Sequence, residues 1–203
     1  MSLSLVIAEK PSVAGDIARA LGGFTRDGDF WVRDDMVIGS AVGHLLEITA
    51  PEEFDVKRGR WTFKNLPVLP PYFDLKPIKK SEEKLKALSK KIRSRAVTEV
   101  INACDAGREG ELIFRLVYEA AGCSKPFSRL WISSMEDAAI REGFADLRPG
   151  RDYDPLYQSA LCRQKADWLI GINASRLFSV LYHRTLNICL LYTSDAADDR
   201  ISV

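Results

Sequence analysis

The sequence predicts an α/β protein, a largely parallel sheet followed by the start of an α-helical unit. Three observations predict it. Short apolar runs of strand length alternate with amphipathic runs of helix length through residues 1–150. Glycines and prolines punctuate the changes from one to the next. Beyond residue 151 the alternation gives way to one long stretch of helical pattern.

The elements follow in order. Leu3 to Ala8 is a short apolar strand. Pro11 suits the first turn of a helix in which Val13, Ile17 and Leu21 recur at four-residue spacing, and Gly22 and Gly23 end it. Glu9 and Lys10 therefore fall at a strand-to-helix turn. "FWVRDDMVIGSAVGHLLE" predicts a hairpin turning near Asp34 and Asp35 and ending at His44. Residues 49–79 carry five prolines and little periodicity, which reads as an ordered loop or irregular insertion. A helix over 82–93 buries Leu85, Leu88 and Ile92. "AVTEVINACD" is a strand, Glu109 to Ala121 a helix closed by Gly122, and "SRLWIS" another strand. Ser134 is placed to cap a helix that runs to about Leu147. "LRPGRDYDPLYQ" marks a boundary, after which Asp154 caps and Pro155 starts a long helix expected to break near Gly171.

Bulk properties exclude several classes. With 46% hydrophobic and 28% charged residues over 203 positions, the chain reads as globular. No apolar run approaches the roughly 20 residues of a membrane span, and the N-terminus lacks a signal-peptide pattern, so a cytoplasmic location and no membrane partner are expected. Four cysteines without C-x-x-C spacing read as reduced, mostly buried thiols. The net charge of +1 is uneven: residues 76–95 hold nine lysines and arginines against Glu82 and Glu83, a net of +7. That is either a solvated helix face or a patch that meets phosphates.

The chemistry concentrates in "VINACDAGREGEL", residues 100–112, where Asp105, Glu109 and Glu111 crowd the end of a strand. Ligands of parallel α/β sheets gather at the carboxyl ends of strands, and Glu9 lies at another such end. Carboxylates tolerate close approach around a divalent cation, and Mg²⁺ takes hard oxygen donors together with substrate phosphates. Gly107 and Gly110 would let the backbone turn and approach a phosphate, which Arg108 and Lys10 could polarise. The plainer alternative is an acidic surface loop whose charges favour a helix N-terminus.

"IAEKPSVA" and, about a hundred residues later, "DAGREGELIFR" resemble the two halves of a Toprim domain. With "GHLLE", "RLWISSM" and "LCRQKADWLIGINASRLFS" in this order, residues 3–187 resemble the N-terminal part of type IA DNA topoisomerases, topoisomerase III-like. The resemblance implies a Rossmann-like Toprim domain over 1–150, its mostly parallel sheet covered by helices on both faces. The N-terminal part of a helical domain then occupies 151–187. Residues 188–203 break the pattern, and "LLYTSDAADD" looks like a translated sequencing-library adapter, so that tail reads as non-native.

The same resemblance implies a catalytic Glu9 near the scissile phosphate and a Lys10 that stabilises transition-state charge. It implies Mg²⁺ held by Glu9, Asp105 and Glu109, with Glu111 as a further candidate. DNA contacts are implied for His44, Arg108, Arg163, Asp167 and Arg176. On spacing alone Arg163 and Asp167 also read as a simple ion pair one helical turn apart. Trp61 and Trp168 read either as base-stacking residues or as core tryptophans. Where the Toprim pattern usually has a second aspartate, this chain has Gly107. The implied activity is ATP-independent breakage and rejoining of single DNA strands through a 5′-phosphotyrosine link, with no small-molecule cofactor. None of the six tyrosines sits in the nucleophile motif, so this chain is expected to lack the attacking group and to be inactive alone. The alternatives are another Toprim enzyme, a primase or nuclease, and a non-catalytic nucleic-acid-binding fragment.

Overall fold

The computed structural model describes residues 3–49 and 62–188. They fall into two compact units, Met1–Glu47 with Pro77–Ala160, and Ile48–Lys76 with Leu161–Val203. Residues 151–160 go with the first unit and 48–76 with the second.

The first unit is built on a seven-stranded sheet. Its strands are β1 (Leu3–Ala8), β2 (Thr25–Asp27), β3 (Phe30–Val32), β4 (Met36–Ser40), β7 (Val97–Ala103), β8 (Phe127–Arg129) and β9 (Arg148–Pro149). The spatial order is β2-β3-β4-β1-β7-β8-β9. The four central strands β4, β1, β7 and β8 run parallel, and antiparallel pairs flank them. Register aligns the strand ends: Ala8 of β1 lies beside Ser40 of β4 on one side and Ala103 of β7 on the other. The residues that follow these three positions therefore emerge at one edge.

Side chains alternate across the sheet. Val6, Ala8, Ile38, Ile101 and Ala103 form a core with Ile17 of α1 (Pro11–Leu21), Leu130, and Ile140 of α4 (Asp137–Ala145). The opposite face takes α2 (Glu82–Arg93), which packs on β7 and on α3 (Arg108–Ala120). Gly39 marks that contact: a Cβ there would lie 2.8 Å from the Phe30 ring and 3.1 Å from Leu88. The sheet is thus mostly parallel with helices on both faces, as the sequence predicts.

Some elements differ from expectation. β2 and β9 are too short and polar to carry a strand pattern of their own. Ser134 does not cap α4; its Oγ accepts the Glu136 N–H at 3.2 Å, and the helix starts at Asp137. A two-stranded sheet of β5 (Leu46–Ile48) and β6 (Leu75–Pro77) stands where the chain leaves and re-enters the first unit.

The last helix, α5 (Asp154–Tyr182), runs unbroken through Gly171. One interior glycine costs about 1 kcal/mol, too little to end a 29-residue helix. Its bare backbone instead accommodates the Ile188 carbonyl, which would lie 3.3 Å from a Cβ. The returning chain is tied there, because Ser175 Oγ accepts the Ile188 N–H at 2.8 Å and Ser179 Oγ accepts the Leu186 N–H at 2.9 Å. Within this second unit the Asn173 amide also clamps Val68, accepting its N–H at 2.6 Å and donating to its carbonyl at 2.9 Å. Trp168 packs edge-on against Phe73, centroids 5.7 Å apart.

Among the described residues no helix is long and apolar enough to cross a membrane. Cys104, Cys123 and Cys162 are free thiols; where mostly buried thiols are expected, Cys104 is buried, Cys123 half-buried and Cys162 exposed. Trp61, Cys189, Tyr192 and the remainder of the suspected tail lie outside the described residues.

Candidate active site at the carboxyl edge of the sheet

Glu9 follows β1 directly, and Lys10, Pro11 and α1 come next. The Glu9 side chain is 11% exposed, whereas those of Lys10 and Asp105 are 56% and 52% exposed. Asp105 follows β7, so register alone brings the two acids to neighbouring strand ends. Lys10 Nζ stands between them, 3.6 Å from Glu9 Oε1 and 3.9 Å from Asp105 Oδ2. Two carboxylates from separate strands thus face a single cation.

The loop after β4 supplies His44. It is held against the end of β1, where Ala41 N–H bonds the Ala8 carbonyl at 2.8 Å and Gly43 N–H bonds the Glu9 carbonyl at 3.3 Å. Gly43 adopts φ of 72°, a left-handed value that favours glycine. His44 Nε2 contacts Glu109 Oε1 in the exposed first turn of α3. Arg108 is exposed at the same helix start.

The turn from β7 into α3 depends on Gly110. A Cβ there would fall 2.8 Å from Asp105 N and closer still to the Asp105 carbonyl oxygen. Gly107 is different: its φ of 179° is extended, and a Cβ would meet nothing within 4 Å.

Glu111 departs from the cluster. It is fully buried, and both of its oxygens are engaged. Oε1 accepts from Arg115 Nε at 2.8 Å; Oε2 accepts from Asn102 Nδ2 at 2.9 Å and lies 3.1 Å from Arg129 Nε. The guanidinium of Arg129 also donates to the carbonyls of Cys104 and Asp105, each at 2.6 Å. Burial pushes the Arg129 pKa down, and the Glu111 carboxylate opposes that. Arg115 continues the network to Gly150 O at 2.9 Å and Asp154 Oδ1 at 2.6 Å. Asp154, expected as a cap, is the first residue of α5 and serves as that acceptor. Burial likewise pushes the Cys104 thiol up, so this cysteine beside the site is inert.

Sequence reasoning missed Arg115, Arg129 and Asn102. Two signals were there: Arg115 stands four residues after Glu111, and Arg129 interrupts an apolar strand. Arg163, Asp167 and Arg176 all lie on α5, half-buried, within the second unit rather than the unit that carries Glu9 and Asp105. Among the described residues no three His, Cys, Asp or Glu side chains already converge on a point where a metal ion could be held.

Known proteins resemble this chain. The family model for the Toprim domain covers residues 4–135. DNA topoisomerase 3 of Bacillus cereus (strain ATCC 10987 / NRS 248) is 43% identical over 197 residues, 97% of this chain and 27% of the relative. DNA topoisomerase 3 of Staphylococcus aureus (strain USA300) is 40% identical over 185 residues, 91% of this chain and 26% of the relative. The full-length topoisomerase I structure from Thermotoga maritima superposes with a TM-score of 0.57 at 18% identity, over 86% of this chain and 26% of that one. The chain thus spans little more than a quarter of the length of these proteins. The Bacillus match, at 197 residues, is longer than the 187 residues before the suspected tail and so runs into it.

Proposed function

The chain belongs to the Toprim family, and from that premise we propose that it is the N-terminal part of a type IA, topoisomerase III-like enzyme that breaks and rejoins single DNA strands by transesterification. The observation that carries the reading is the pairing of Glu9 and Asp105 across adjacent parallel strands, with Lys10 Nζ 3.6 and 3.9 Å from their oxygens. Catalysis of phosphoryl transfer is mainly charge placement, and a lysine between two acids beside an exposed edge is suited to it.

The donors fit a hard divalent cation in kind, because all are carboxylate oxygens and two of the acids already share one cation. Glu9, Asp105 and Glu109 would hold Mg²⁺, which would supply neutralisation of phosphate charge there. Glu111 does not join them, since its oxygens are committed within the core. Glu9, nearly buried beside the site, is the acid placed to act in proton transfer. Lys10 and Arg108 face the phosphate, and His44 orients Glu109. Arg163, Asp167 and Arg176, all on α5, contact DNA. The attacking tyrosine is supplied by another part of the enzyme.

Calorimetric titration of the chain with MgCl₂ tests the site. Asp105→Asn should weaken binding at least about tenfold, the equivalent of roughly 1.4 kcal/mol. Fluorescence anisotropy should show that Mg²⁺ strengthens binding of a labelled single strand in the wild type only. Equal Mg²⁺ affinity in both proteins would remove the metal assignment.

A further inference from the structure

The basic segment 76–95 is not absorbed by the acidic site. In the structure it becomes a short 3-10 turn, Lys79–Ser81, leading into α2. Leu85, Leu88 and Ile92 face the core, and Lys79, Lys80, Lys86, Lys90, Arg93 and Arg95 are exposed. Lys86, Lys90 and Arg93 stand at spacings of four and three, so they share one helix face. At 1.5 Å per residue the stripe extends roughly 20 Å.

Some basic residues of the segment are committed within the fold. Lys84 Nζ pairs with Asp29 at 3.0 Å, Lys86 Nζ with Glu82 at 2.7 Å, and Lys91 Nζ stands 5.0 Å over the Phe30 ring. Among the described residues no carboxylate pairs with Lys79, Lys80, Lys90, Arg93 or Arg95.

Cations in a last helical turn ordinarily compensate the negative end of the helix dipole. Here that role is filled from outside the helix. Lys125 Nζ donates to the carbonyls of Ile92 at 2.6 Å and Ser94 at 2.5 Å, and Ser94 N–H takes the Lys91 carbonyl at 3.0 Å. Lys90, Arg93 and Arg95 are therefore surplus to the helix. A merely solvated face mixes signs, whereas on this one Glu83 alone opposes the unpaired cations.

We infer that this stripe binds the phosphate backbone of duplex DNA, as a contact separate from the single-strand site. Residues 76–95 contain no aromatic residue, so the surface offers no platform on which unpaired bases could stack. Lys90 and Arg93 on one face of α2, with exposed Lys79, Lys80 and Arg95 beyond its two ends, suit the closely spaced phosphates of a duplex, one charge per roughly 1.7 Å of axis. The inference stands on the stripe and not on the reading of Glu9 and Asp105.

The test uses the 203-residue chain and a fluorescein-labelled duplex of about 20 base pairs, titrated between about 50 and 200 mM salt. If about five phosphates are engaged, log K falls against log salt with a slope near −4.5. The variant K79Q/K80Q/K90Q/R93Q/R95Q should flatten that slope to near zero and weaken binding at the lowest salt at least about 100-fold. Its circular dichroism melt should match the wild type, because the changed side chains are exposed. Asp105→Asn should keep the full duplex slope, which separates this contact from the acidic site. An unchanged slope in the five-fold variant overturns the proposal. So does a variant that loses a single-stranded probe but keeps the duplex, or a wild type that binds only phosphatidylserine vesicles.

Discussion

At the scale of the residue, two glycines three positions apart carry different loads. Gly110 has no space for a side chain, because its Cβ would press on the backbone of Asp105. Gly110→Ala should therefore cost about 3 kcal/mol, the upper range for overpacking, and displace Asp105 with it. Gly107 is extended and open, so Gly107→Asp meets no steric barrier. It also places a favoured residue at the N-cap of α3. That variant should be as stable as the wild type, within about 0.5 kcal/mol, or more so, and should bind Mg²⁺ more tightly through the added carboxylate. Urea unfolding and calorimetry measure the pair. A Gly110→Ala protein of normal stability, or a Gly107→Asp protein with weaker Mg²⁺ binding, would contradict these assignments.

At the scale of the element, the acidic loop is held from beneath. β7 delivers Asp105 to the edge, α3 carries Glu109 outward and Glu111 inward, and β8 sends Arg129 under the loop. Arg129 takes the Cys104 and Asp105 carbonyls, so the exposed acid rests on a backbone pinned by a buried guanidinium. Two acids two residues apart should then behave differently. Glu111→Gln leaves Arg115 and Arg129 without their buried counter-charge and should cost about 3 kcal/mol or more. Glu109→Gln changes a side chain 68% exposed and should cost under about 0.5 kcal/mol. Urea midpoints of the two variants check this, and equal costs would mean that the network is not what supports the loop.

At the scale of the whole molecule, the first unit assembles acids and a lysine, and two of its tyrosines are tied into the fold. Tyr157 and Tyr118 are held by hydrogen bonds to Glu119 and to the Lys125 carbonyl. Burial pushes both phenols up, away from the phenolate an attack requires. Tyr72 and Tyr182 are 63% and 61% exposed, on the second unit. This chain incubated with labelled single-stranded DNA and Mg²⁺ should therefore leave no labelled protein after denaturation, because charge stabilisation cannot replace an attacking atom. A covalent band abolished by a Tyr→Phe change would show that the nucleophile lies within these residues.

By itself the sequence determined the alternating elements, the mostly parallel sheet and the placing of Glu9 and Asp105 at strand ends. Those features are local: periodicity, turn residues and the rule that ligands gather at carboxyl edges act over a few residues each. Tertiary structure alone decided which acids face outward. Glu109 and Glu111 are two positions apart on one helix, and the one local difference between them is Arg115, a helical turn after Glu111. Arg129 arriving from β8 and Asn102 from β7 join Arg115 of the same helix to commit Glu111 to the core. The close approach of the Ile188 carbonyl to Gly171 in α5 was likewise visible only in the fold. Non-local partners outweigh local propensity wherever a buried charge or a bare backbone must be satisfied, and such partners are brought together only by the fold.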